Sequence, residues 1–417
     1  MLTTVLNPAA ARSTSITAGS ERAGDTASGR QHLRQPGDCI IVNAQIVTPA
    51  GIRRQASVRV EEGRIAEIVD GPIAGRHTVD AGGHHLFPGF IDIHSDAIEK
   101  GIEPRPNTFF PVNIAVYELD KKIASCGITT MFHSLSFAEL EVGLRNNSTA
   151  AGIIREINGL AGKLRVNTRI HARFEITDLG AVPFLEGLIA DGQIDLFSFM
   201  DHSPGQGQFR DILTFKQYYG PVYAKTDAEM DHIIARKLEA RNGGGRDAIG
   251  RLLQLCREGG IAVASHDDDS REKMAWLKEM GIGLTEFPVN IEAVRAAREM
   301  GIRVCLGSPN VVRGQSQAKN LSAREAISWG YGDILCSDYS PMTLLHAVLT
   351  LERLGILDLP EAVAMVSLNP ARAVDIDDRT GSLAVGKDAD MVLVDHADDF
   401  PRVLKTFIAG REVFATC

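Results

Sequence analysis

The segment PGFIDIHSD (88–96) is a short apolar strand pattern that closes on His94 and Asp96. Side chains two apart on an extended chain point the same way, so this pair is presented together at one strand end. The design recurs downstream. GITTMFHSL (127–135), RIHARFE (169–175), LFSFMDH (196–202), IAVASHDDD (261–269), GIGLTEFP (281–288), RVCLGSP (303–309) and DILCSDYSP (333–341) are apolar runs of strand length, several ending on a charged residue. Between them, AEMDHIIARKLEAR (228–241), DAIGRLLQLCREGG (247–260), SREKMAWLKEMG (270–281) and IEAVRAAREMG (291–301) repeat apolar residues at helical spacing. Eight such strands separated by helices across residues 86–379 predict a parallel (β/α)8, TIM-like barrel rather than a doubly wound sheet.

The flanks read differently. CIIVNAQIVTPAG (39–51), ASVRVEEGRIAEIV (56–69) and HTVDAGGHHLFPG (77–89) are β patterns punctuated by Gly and Pro, and DADMVLVDH (388–396) with VLKTFIAGREVF (403–414) closes the chain in the same style. Residues 37–85 and 380–417 are therefore expected to form one small β-sandwich domain built from both termini. Residues 1–36, rich in Ser, Thr, Ala, Gly and Arg, cannot bury a core and read as a disordered extension with a weak transit-peptide flavour.

Lys plus Arg number 44 against 53 Asp plus Glu, a formal charge of −9. That balance argues against nucleic acid as a partner, which needs a basic face, but leaves room for one small anion in a basic pocket. The six cysteines form no CxxC pair and read as reduced, mostly buried residues of a cytoplasmic protein. No apolar run approaches the roughly 20 residues that span a bilayer, so no membrane partner is expected.

The strand ends carry the chemistry. His94 and Asp96, then Glu175, Asp201 with His202, His266, and Asp338 each end a different predicted strand, and barrel strand ends converge on one mouth. Alone, each has an ordinary explanation: a hydrogen-bonded histidine, an Asp at a helix start in SHDDD, a turn-forming Asp before Tyr-Ser-Pro. Together, histidines and carboxylates are the ligand set of zinc, manganese or iron, and a carboxylate between two close ions provides a nucleophilic water at neutral pH.

At this point the sequence resembles the amidohydrolase superfamily, which usually begins with His-x-His where this chain has His94-Ser95-Asp96. That departure, with EPRP (103–106), GITTMF (127–132), MDHSPGQGQF (200–209), SHDDD (265–269), EFP (286–288), GSPNVVRG (307–314) and SDYSP (337–341), is similar to the PhnM branch of phosphonate metabolism, over residues 38–414. The resemblance implies hydrolysis of α-D-ribose 1-methylphosphonate 5-triphosphate to the 5-phosphate plus diphosphate. It also implies two divalent ions: His94, Asp96 and Asp338 would hold one, Glu175 would bridge, and His202 and His266 would complete the second. Zinc comes first, with manganese or iron behind, because Asp96 adds a hard oxygen ligand.

Asp338 at the mouth could accept the proton of the attacking water. Arg105, Lys225 and Arg313, with Ser308 and Asn310, follow the strand ends and are candidate contacts to the phosphates of a small phosphorylated sugar. His133 reads as packing or support, and Tyr218 and Tyr223 as sugar-side or core-edge residues. Two other readings stay open: a hydrolase of C–N bonds, such as a deaminase or cyclic amidase, and a non-catalytic assembly protein on the same scaffold. A homodimer is expected by resemblance only.

Overall fold

A computed structural model describes residues 36–139, 144–204, 207, 212–223, 226–316, 320–397 and 400–416. The expected 1–36 extension, except Pro36, and the candidate Lys225 lie outside the described residues. The chain begins with β1 (Cys39–Thr48), β2 (Gly51–Glu61), β3 (Arg64–Asp70), β4 (Thr78–Asp80) and β5 (His85–Pro88). The barrel strands follow: β6 (Phe90–Ser95), β7 (Ile128–Phe137), β8 (Asn167–Glu175), β9 (Leu196–Met200), β10 (Ala262–His266), β11 (Leu284–Glu286), β12 (Arg303–Gly307) and β13 (Ile334–Cys336). The chain ends with β14 (Met391–Asp395), β15 (Arg402–Ile408) and β16 (Arg411–Ala415).

Both termini build one sheet in the order β16-β15-β14-β5-β1-β2-β3, with β4 also paired to β1. Its hydrogen bonding is unbroken, and Ile41, Ile46, Val58, Ile65, Leu86, Met391, Leu393 and Phe407 meet in a common core. The two ends of the chain thus share one sheet and one core, as expected. It takes in His85–Pro88, so it extends past residue 85. Val392, Val394, Val403 and Val413 instead join the barrel's core with Val116, Leu119 and Ile123 of the helix Val112–Ser125.

Polar pins lock the two parts together. The Thr406 hydroxyl donates to the Ala124 carbonyl at 2.8 Å, and Arg165 Nη1 donates to the Val413 carbonyl at 2.8 Å. Asp390 is buried at the same junction and accepts from Ala409 N–H (2.9 Å), Thr380 (3.3 Å) and Asn167 (3.3 Å). Burial pushes its carboxyl up to about 7. The folded chain then keeps a proton that the unfolded chain has released, so this group's contribution to stability falls as pH rises from about 4 to about 7, then levels off. Asp390→Asn removes that dependence. Relative to wild type the variant is expected to gain about 1–2 kcal/mol between pH 5 and pH 8 in urea denaturation, and a constant difference would refute the assignment.

The barrel strands run parallel in sequence order from β6 to β13. Closure occurs at the mouth. Asp338 N–H donates to the His94 carbonyl at 3.0 Å, and Asp96 N–H donates to the Asp338 carbonyl at 2.9 Å. At the opposite end the chain around Met365 and Val366 is wedged between the first and last strands, accepting from Leu335 and Ile91 N–H groups. The Pro-Gly lead into β6 has a steric reason: a Cβ on Gly89 would lie 2.2 Å from Thr129 Oγ1. Inside, Ile91, Phe132, Leu196, Leu284 and Ile334 form an apolar floor, capped by Ala371 and Val374 from and just beyond the helix Leu368–Ala373. Cys39, Cys126, Cys256, Cys305 and Cys336 form no disulfide. Among the described residues, no helix is long and apolar enough to cross a membrane.

Candidate metal centre

Above the apolar floor the lumen turns polar, and strand alternation decides which residues face it. On β8, Ile170, Ala172 and Phe174 point outward into the core between strands and helices, so His171, Arg173 and Glu175 point inward. Ser198 follows on β9, placed 2.8 Å from His171 Nε2.

Two groups of converging ligand atoms result, His94 with His171 and Glu286, and His202 with His266 and Asp267. In the first, His94 Nδ1 lies 2.9 Å from Glu286 Oε1, and His171 Nε2 lies 3.7 Å from Glu286 Oε2. A carboxylate can only accept, so the His94 proton sits on Nδ1 and Nε2 keeps its lone pair. Burial, with Arg173 nearby, holds His94 well below the usual imidazole value, and burial lowers His171 to about 3. Both rings are therefore neutral, the form that binds metal. Glu286 Oε2 is fully buried and accepts no hydrogen bond among the described residues.

In the second group, His202 Nδ1 faces Glu175 Oε2 at 3.2 Å and His202 Nε2 faces Asp267 Oδ2 at 3.5 Å. His266 Nδ1 lies 3.1 Å from Asp267 Oδ2, and its Nε2 lies 3.0 Å from Arg173 Nη2. The three aspartates of SHDDD have separate tasks. Asp267 serves the histidines. Asp268 is buried and holds Ser265 (2.6 Å), Lys273 (2.9 Å) and Thr285. Asp269 accepts from Gly207 N–H at 2.8 Å, while Ser270 caps the helix Arg271–Glu279. The run is not a solvated turn. The histidine rings join the groups, with His94 and His266 centroids 5.5 Å apart and Phe287 packed edge-on against both.

The last strand completes the mouth. Asp338 sits just past β13 at φ 56°, with Asp267 (φ 56°) and Phe287 (φ 52°) in the same left-handed region at neighbouring strand ends. Such backbone is unfavourable for non-glycine residues and concentrates at functional sites. Burial, then the adjacent Asp96, raises the Asp338 carboxyl to about 7.

Comparison with known proteins gives this arrangement a lineage. Residues 245–413 match the model described as Amidohydrolase family. The α-D-ribose 1-methylphosphonate 5-triphosphate diphosphatase of Escherichia coli (strain K12) is 33% identical over 363 residues, 86% of this chain and 96% of that protein. The chain belongs to the amidohydrolase family. Among more distant relatives, the dihydroorotase of Elusimicrobium minutum (strain Pei191) is 23% identical, covering 85% of this chain and 88% of that one. The structure of 5-methylcytosine deaminase from Klebsiella pneumoniae liganded with phosphonocytosine superposes with a TM-score of 0.62 at 16% identity, covering 90% and 98% of the two chains. That likeness concerns the fold.

In this amidohydrolase the donor chemistry suits divalent ions. Neutral imidazoles and buried carboxylates converge, Glu286 Oε2 accepts no hydrogen bond among the described residues, and Asp96 lies near enough to Asp338 to raise its carboxyl. The grouping differs from the expected one. His94 lies with His171 and Glu286 rather than directly with Asp96, which precedes the helix Ala97–Ile102 and is half-buried. Glu175 does reach His202, but its other oxygen takes the Thr177 hydroxyl at 2.6 Å and lies 3.8 Å from the buried Lys237. Asp201 turns aside to Arg241 at 3.0 Å.

The expected phosphate contacts fare unevenly. Asn310 holds its own loop, donating to the Leu321 carbonyl at 2.9 Å and accepting from Ala323 N–H at 3.1 Å. Ser308 is fully buried against Thr343 at 2.6 Å. Both side chains are thus spent on structure, because the helix Ser308–Arg313 must be tied down after β12. Arg105 and Arg313 are exposed. His133 is buried midway along β7, and burial lowers its imidazole to about 4. The backbone of Tyr218 and Tyr223 lies in the helix Ile212–Tyr223, and their side chains fall outside the described residues. His171, Arg173, Asp267 and Glu286 were not singled out from sequence. For the first two the signal existed in the every-second-residue pattern of RIHARFE.

Proposed function

We propose that this amidohydrolase is a metal-dependent diphosphatase that converts α-D-ribose 1-methylphosphonate 5-triphosphate into the 5-phosphate plus diphosphate. The observation that carries the reading is the likeness to the E. coli diphosphatase across 96% of its length at 33% identity, against 23% for the dihydroorotase. The mouth is consistent with an anionic substrate only when loaded with cations, since Asp96, Glu175, Asp267, Glu286 and Asp338 would otherwise repel a triphosphate.

His94, His171 and Glu286, and His202, His266 and Asp267, would hold the ions, with Asp96, Glu175 and Asp338 as further carboxylate ligands. Zinc suits the histidines best, with manganese or iron as alternatives. These residues would hold two divalent ions, which would supply an acidified water and charge withdrawal from a phosphoryl oxygen. Asp338 accepts the proton of the attacking water at its carboxylate. Attack in line on the phosphorus of the anhydride breaks the bond to diphosphate, and basic side chains at the mouth neutralise the departing charge. Arg105 and Arg313 at the rim fit the outer phosphates. A cytoplasmic homodimer belongs to the same reading.

The test is phosphorus NMR on purified protein of measured metal content, with this triphosphate, ATP and cyclic amides as substrates. Diphosphate from the ribose triphosphate is expected, and its loss after chelation. Ammonia or ring opening from the amides, with no diphosphate from the triphosphate, would establish the C–N hydrolase reading instead.

A further inference from the structure

Around the mouth, buried or half-buried cations each face a carboxylate. Lys237 faces Glu175 at 3.8 Å, Lys273 faces Asp268 at 2.9 Å, and Arg241 faces Asp201 at 3.0 Å. Arg173 is the exception among them. It is 5% exposed, it lies on β8 between His171 and Glu175, and no carboxylate among the described residues comes within 4 Å of it. Its one hydrogen bond runs from Nη2 to His266 Nε2 at 3.0 Å, and its Nε has no acceptor among the described residues.

A guanidinium carries five N–H donors and stays protonated, so burying it against a single ring nitrogen leaves most of its capacity unanswered. Proteins avoid that arrangement unless something else supplies the anion. The Asp338 and Glu99 carboxylates feel the charge of Arg173 but form no ion pair with it. The bond to His266 is also exchangeable. Arginine can only donate, so it occupies the lone pair of Nε2, the atom that the imidazole would offer to a cation, while its Nδ1 lies 3.1 Å from Asp267 Oδ2. A cation at that nitrogen and the arginine cannot use it together.

We propose that Arg173 is the anion-binding residue of this site, placing its planar fork of N–H donors on phosphoryl oxygens of the substrate and of the diphosphate product. The inference rests on the phosphoanhydride reading and deepens it. Arg173 then has little to do with holding the fold. Its replacement by an apolar chain of similar length removes a buried, poorly paired charge and does not destabilise the protein.

The experiment compares full-length wild type, Arg173→Met and Arg173→Lys at matched, measured metal content. It reads diphosphate affinity by calorimetry, the melting temperature, and kcat and KM on the triphosphate. Arg173→Met is expected to weaken diphosphate binding by about tenfold or more and to lower kcat/KM by about a hundredfold. It should melt no lower than wild type, and Arg173→Lys should recover part of the binding. Diphosphate affinity within twofold of wild type in Arg173→Met overturns the proposal, and so does a lower melting temperature. Wild-type protein that binds diphosphate through Arg173 but releases none from the triphosphate overturns the phosphoanhydride reading and leaves this inference standing.

Discussion

Asp338→Asn is expected to reduce diphosphate release by about a thousandfold or more while the protein stays folded. The reasoning separates backbone from side chain. The backbone of Asp338 closes the barrel through its N–H to the His94 carbonyl and its carbonyl to Asp96 N–H, and Ser95 Oγ adds a bond to that same carbonyl at 2.9 Å. Asparagine keeps all of these, has the same size, and tolerates the left-handed backbone at φ 56° better than most residues. The side chain is another matter, since an amide neither takes the proton of the attacking water nor adds negative charge beside Asp96. Turnover by phosphorus NMR and a thermal melt should thus diverge, with activity lost and the melt nearly unchanged. Activity within tenfold of wild type would remove Asp338 from the role of base.

The second large effect concerns a residue at the deepest point of the mouth. Glu286→Gln is expected to lower metal affinity by about 10- to 100-fold, with activity falling in parallel. The outcome is the same whether Glu286 binds a cation directly or orients His94 by accepting its Nδ1 proton at 2.9 Å. Glutamine preserves the shape and one acceptor but removes the charge that two neutral imidazoles leave uncompensated toward a dication. Metal content after dialysis against a weak chelator measures the effect without reference to any substrate. Retention of wild-type metal content would remove Glu286 from the centre.

Much of this molecule follows from local pattern. The alternation of short apolar strands with helical periodicity specified the barrel, because burying one face of each element allows few arrangements. The polar terminations at His94, Glu175, His202, His266 and Asp338 marked its mouth for the same reason. Strand ends lie in one ring, and a ring of ligand-type residues is visible in the chain before any contact is known.

What the chain alone left open depends on distances between strands remote in sequence. In RIHARFE the terminal glutamate carries the visible signal, although every second position, His171 and Arg173 included, faces the lumen. Glu286 opens the EFP motif, but only the ring geometry brings its carboxylate to two histidines far from it in sequence. Conversely, the structure shows Asn310 bonded to the backbone of Leu321 and Ala323, and Ser308 bonded to Thr343 on a helix remote in sequence. By itself the sequence determined the barrel, its terminal sheet and the ring of ligand-type residues, since each follows from short-range periodicity. Tertiary structure alone decided which of those residues meet and which buried charge lacks a partner, because pairing depends on inter-strand register and burial that no local pattern encodes.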